Sequence, residues 1–93
     1  MRLNSYTIYD SATCAYSRPF FAVADGEAVR QFGDIACDES HPIGKHPEHY
    51  RLYRNGIFND KDGEYTAETP THLANGHELA AANENIASPG GTE

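Results

Sequence analysis

Tryptophan is absent from this 93-residue chain, methionine occurs once, and lysine occurs only as Lys45 and Lys61. Large core-forming residues are also scarce: Leu, Ile, Val and Phe together number 15, against a formal net charge of −7. That combination lies at the compositional edge where chains bury too little apolar surface to fold. It excludes a large core and a second domain. The 39% hydrophobic fraction conceals the shortage, because alanine and tyrosine supply half of it. No run approaches the roughly 20 apolar residues of a membrane span. MRLNSYTIYD has no apolar signal-peptide region, so the chain is expected to stay in the compartment where it is made. Cys14 and Cys37 form neither a CxxC pair nor a disulfide framework, and read as reduced thiols in a cytosol.

What is present is unevenly distributed. Residues 1–57 hold six basic and seven acidic residues, a net of −1, whereas residues 58–93 hold Lys61 against seven acids, a net of −6. Twelve of the 15 large apolar residues lie at or before Phe58. This partition predicts a compact α+β unit over 1–68 and an acidic, largely disordered tail over 69–93.

Within the first unit, LNSYTIYD alternates and is rich in β-formers, with Tyr6 and Ile8 on one side and Ser5, Thr7 and Tyr9 on the other. SATCAYSRPF reads as a connection because Pro19 is excluded from a central strand, and FFAV as a short extended piece. DGEAVRQFGDIACDE predicts an amphipathic helix with Asp25 as N-cap and Ala28, Val29, Phe32, Ile35 and Ala36 on one face. HPIGKHPEH reads as a loop. HYRLYRNGIFND predicts a long strand with a bulge at Gly56, DKDG a hairpin turn, and EYTAE the returning strand. HELAAANENI predicts a short helix over 77–86. The expected architecture is β-α-β-β, a small antiparallel sheet packed on one amphipathic helix. A unit this small is marginal, so self-association into a homo-oligomer is expected.

The segments PFFAVADGEAVRQFGDI and GKHPEHYRLYRNGIFNDKDGEY carry a resemblance. Tyr9-Asp10 ends the first strand, Pro19-Phe20-Phe21 follows, and Ala28, Arg30 and Phe32 form the helix core. Lys45, Pro47 and Glu48 precede a Tyr50-x-Leu52-Tyr53 strand that runs through Gly56 and Phe58 to the acidic turn at Asp60, Asp62 and Gly63. Over residues 3–66 this order and spacing resembles the small nonstructural protein of gokushoviruses, single-stranded DNA phages of the Microviridae that include the chlamydia phages. The resemblance implies a phage protein made in the bacterial host cytoplasm. It further implies DNA binding, or an accessory role in single-stranded DNA synthesis, and supplies no catalytic residues.

Charge argues against tight autonomous DNA binding, because non-specific affinity comes mainly from Lys and Arg neutralising phosphates. Stacking of bases on aromatic rings offers another route. If the helix covers the side carrying Tyr6, Ile8 and Leu52, the opposite face presents Tyr9, Arg51 and Tyr53, with Arg18, Arg30, Lys45 and Arg54 as further candidate contacts. The same tyrosines also read as substitutes for missing aliphatics in a two-sided core. Two functions follow from these readings. One is single-stranded DNA association in genome synthesis or packaging. The other is a protein-interaction module that binds the phage replication initiator or a host factor.

Other constellations are weaker. His41, His46 and His49 lack metal-site spacing, so no metal or cofactor is expected. Reading NDKDGE as a calcium loop would make Phe58 the first ligand, which Phe cannot be. No nucleophile-elbow, Walker or HExxH pattern occurs, and the expectation is a protein that is not an enzyme. Arg30 is read as a surface residue pairing with Asp34.

Overall fold

The computed structural model describes residues 1–82. It is an α+β fold built on a five-stranded antiparallel sheet: β1 (Arg2–Asp10), β2 (Ala15–Tyr16), β3 (Phe20–Ala22), β4 (Tyr50–Asn59) and β5 (Tyr65–Asn75). β1 is central. β4 pairs with it along its length on one side, while β2 and β3 pair with its two ends on the other. These two short strands are one return strand interrupted around Pro19, whose missing N–H breaks the ladder. The turn into β2 uses Cys14 in the left-handed region, at φ 56°. β5 pairs with β4 and forms the far edge.

Between β3 and β4 the chain crosses one face of the sheet as α1 (Asp25–Ala36). Its apolar stripe is the expected one, with Ala28, Phe32 and Ala36 buried and Val29 and Ile35 packed beside them. The N-cap is Ala24, not Asp25, and no side chain caps the helix end. Glu27 in the first turn accepts from the Val23 N–H at 3.0 Å, while Asp25 is drawn toward the sheet. The helix stops at Ala36, before the acidic Asp38-Glu39 pair.

The segment read as a plain loop contains structure. His41 caps a single turn, α2 (Pro42–Lys45), its Nδ1 accepting from the Ile43 N–H at 3.1 Å, and a 3-10 turn follows at Pro47–His49. Proline at the first helical position of both turns suits the fixed φ of the ring. Ile43 closes the core, which also holds Tyr6, Ala22, Ala28, Phe32, Ala36, Leu52 and Ala74. Half of these are alanines. A core this lean explains why each larger member is close to fully enclosed, with Tyr6, Phe32 and Leu52 at 0% exposure.

The bulge lies beside Gly56. The β1–β4 register shifts there, so that Tyr6 pairs with Arg54 and Ser5 with Gly56, leaving Asn55 extra. A Cβ on Gly56 would lie 2.7 Å from both the Thr66 carbonyl oxygen and the Tyr65 hydroxyl, so glycine lets β5 and its tyrosine close on the sheet. The DKDG turn forms as expected, with Gly63 at φ 78°.

The C-terminal boundary is the main correction. β5 does not end with EYTAE at Glu68 but continues to Asn75, so a boundary at 68 falls inside a paired strand. Leu52 pairs with Ala74, whose burial supplies the physical reason. From 76 to 82 the chain is helical (α3), and Leu79 packs against the core. Residues 69–82 are thus part of the folded unit; the rest of the predicted tail and of the helix over 77–86 lies outside the described residues. None of the described helices is long and apolar enough to cross a membrane.

Candidate nucleic-acid interface

Alternation along the strands divides the sheet into a covered and an open face. Tyr6, Ile8 and Leu52 face α1, which leaves Thr7, Tyr9, Arg51 and Tyr53 on the opposite side. Thr7 is buried in the plane of the sheet, its hydroxyl donating to the Ser17 carbonyl at 2.8 Å. The others form a surface. Tyr9 and Arg51 pair across β1 and β4, and Tyr53 pairs with His72 across β4 and β5.

Four rings then run together across the strands. Ring centroids are 4.8 Å apart for Tyr9–Tyr16, 5.9 Å for Tyr16–Tyr53 and 5.5 Å for Tyr53–His72, the last two edge-on. Tilted and edge-to-face contacts at these separations are the favoured aromatic geometries. Tyr16 is 54% exposed and Arg51 is exposed beside the row. The Tyr9 phenol titrates above its ordinary range, first through its hydrogen bond with the Cys14 thiol and then through desolvation. His72 Nε2 lies 2.7 Å from Asn75 Oδ1, which orients the imidazole at the end of the row.

The electrostatics of this face differ from those of the chain. The five strands contain only two carboxylates, Asp10 and Glu68. Asp10 interacts with Tyr50, and Glu68 lies 3.7 Å from Arg54 Nε. Both lie on the covered side. Among the described residues the negative charge is carried mainly by the helices, the loops and the hairpin tip; the aromatic row has Arg51 beside it, and of the two strand acids Asp10 shares a pocket with Tyr16 at the sheet edge. An average of −7 does not describe this surface.

Among the candidates read from the sequence, Tyr9, Arg51 and Tyr53 converge. The others do not join them. Arg54 turns to the covered face, where its guanidinium bonds Asp25 Oδ2 at 2.5 Å. Arg30 is exposed on α1 and makes no ion pair with Asp34 among the described residues. Lys45 ends α2, and Arg18 lines a cavity on the covered side. The row also takes in Tyr16 and His72, which sequence pattern does not select: Tyr16 falls in the segment that Pro19 makes read as a connection, and His72 in the stretch that composition makes read as a tail.

The histidines of the 41–49 segment serve local structure. His41 caps α2, while the His46 and His49 rings stack at 5.6 Å with Glu48 3.7 Å from each. Among the described residues no group of His, Cys, Asp or Glu is placed to hold a metal ion.

No curated protein and no solved structure matches the chain. A family model does: that of the Phage ORF5 protein, over residues 3–79, which spans all five strands and reaches Leu79 in α3. The chain belongs to the Phage ORF5 protein family.

Proposed function

We propose that this chain is a non-enzymatic phage accessory protein that associates weakly with single-stranded DNA, in support of genome synthesis or packaging in the bacterial host cytoplasm. The carrying observation is the row Tyr9–Tyr16–Tyr53–His72 on the open sheet face beside Arg51. Aromatic rings on an open sheet offer stacking surfaces that accept any base, worth about 1–3 kcal/mol per base. One arginine supplies one phosphate contact, so binding relies on stacking more than on counterion release. The gokushovirus resemblance supports the same reading.

Anisotropy of a labelled oligothymidine tests it at two salt concentrations. Binding should weaken by about tenfold or more in Tyr16→Ala and Tyr53→Ala, and only shallowly with salt. Absence of binding at low salt by the wild-type chain sinks the proposal. The second reading is a protein-docking face for the replication initiator or a host factor, and the paucity of cations favours it. It predicts that Tyr16→Ala loses a co-purifying protein in nuclease-treated extracts of infected cells.

A further inference from the structure

The covered side of the sheet contains a cavity that the aromatic row does not use. It has a volume of about 420 Å³ and lies between the β1–β3 edge, α1 and α2. That is within the range of about 300–1,000 Å³ typical of small-molecule sites. Its apolar lining is Ile8, Phe20, Phe32, Ile35 and Ile43, of which Phe32 is wholly buried and Ile43 nearly so.

The mouth has a different chemistry. Arg18 lines it, and among the described residues its guanidinium has no ion pair. His41 also lines it. Because His41 Nδ1 accepts the Ile43 N–H at 3.1 Å, the neutral ring carries its proton on Nε2 and offers a donor. Among the described residues no Asp or Glu lines the cavity, in a chain where acids outnumber Lys and Arg by 14 to 7. Ser17 and Gln31 add a hydroxyl and an amide to the lining, so apolar walls meet one cation and three neutral polar groups, which matches an apolar body with a single negative charge. A dianionic phosphate would exceed that charge, and a cation would meet Arg18. We propose that this cavity binds a small amphiphilic carboxylate, its apolar part against Phe20, Phe32, Ile35 and Ile43 and its carboxylate accepting from Arg18 and His41. The proposal is independent of DNA binding.

The test is a titration of the ¹⁵N-labelled full chain with sodium decanoate below its micelle concentration, with decyltrimethylammonium as the opposite-charge arm. Decanoate should give saturable amide shifts confined to residues 17–20, 31–35 and 41–43. Arg18→Glu changes an exposed side chain, so the fold survives, and it should weaken decanoate binding by about tenfold or more. Ile35→Trp, which fills the cavity, should abolish the shifts. If Ile35→Trp fails to fold, Arg18→Glu alone decides the question. Shifts that do not saturate or centre elsewhere, unchanged affinity in Arg18→Glu, or equal affinity for the cationic amphiphile would each overturn the proposal and leave a packing gap.

Discussion

Asp25 joins the helix to the sheet through three side chains. Its carboxylate accepts from the Tyr6 hydroxyl at 2.8 Å, from Asn4 Nδ2 at 3.5 Å and from the Arg54 guanidinium. This explains why a residue suited to capping α1 does not cap it. Tyr6→Phe should cost about 1 kcal/mol, visible as a lower urea midpoint with unchanged slope. Burial, as the largest cause, pushes the Tyr6 phenol up to about 12. The folded state therefore favours the neutral phenol, a stabilisation complete below the ordinary value near 10 and lost as pH climbs toward 12. Between pH 9 and 11.5 the wild-type midpoint should fall more steeply than that of Tyr6→Phe. Equal slopes would refute the coupling. Arg54 and Asp25 are 30% and 38% exposed, so solvent discounts their pair, and Arg54→Ala should cost no more than about 1 kcal/mol. Its oligonucleotide affinity should stay near wild type, since Arg54 faces away from the aromatic row.

At the scale of elements, β5 and α2 carry the information that composition obscured. β5 reads as a polar tail because eight of its 11 residues are exposed, yet its last residues pair with β4 and bring Ala74 over Leu52. A chain ending at residue 68 should therefore lose at least 2 kcal/mol relative to the full chain, lowering Tm by about 10 °C or more. Melting unchanged by that truncation would contradict the pairing. α2 depends on close approach. A Cβ on Gly44 would clash with the Asp38 carbonyl oxygen, a backbone atom, so the chain would have to shift. Gly44→Ala should destabilise by about 1–3 kcal/mol in chemical denaturation.

Across the whole molecule, charge and aromatic surface are segregated. The sheet strands carry two of the 14 acids, both on the covered side, and most of the rest lie on helices, loops and the hairpin tip. On the proposed function, acids away from the aromatic row would act on a DNA strand only through solvent, where a Debye length of about 10 Å at 0.1 M limits their reach. Replacing Asp34, Asp60 and Asp62 with Asn together should strengthen oligonucleotide binding near 10 mM salt, with no difference near 0.3 M. A difference that persists at high salt would mean that an acid touches the bound strand. A net charge is a sum over surfaces that a ligand does not average, so the value of −7 does not by itself decide against the proposed association.

The local elements were legible because their signals are local. Period-two alternation marked β1 and β4, the spacing of Ala28, Phe32 and Ala36 marked α1, and DKDG marked the turn. Alternation alone separates Tyr6 and Ile8 from Tyr9, and Leu52 from Arg51 and Tyr53. What required the tertiary structure was every feature created by partners distant in the chain. Tyr16 meets Tyr53 only because the return strand flanks β1, and His72 reaches the row only because β5 pairs on to Asn75. Arg54 leaves the row for the same kind of reason: the bulge at Asn55 and an acid on α1, 29 residues earlier, turn it to the covered face. Sequence pattern determines which side of its own strand a residue occupies; long-range packing decides what it meets there.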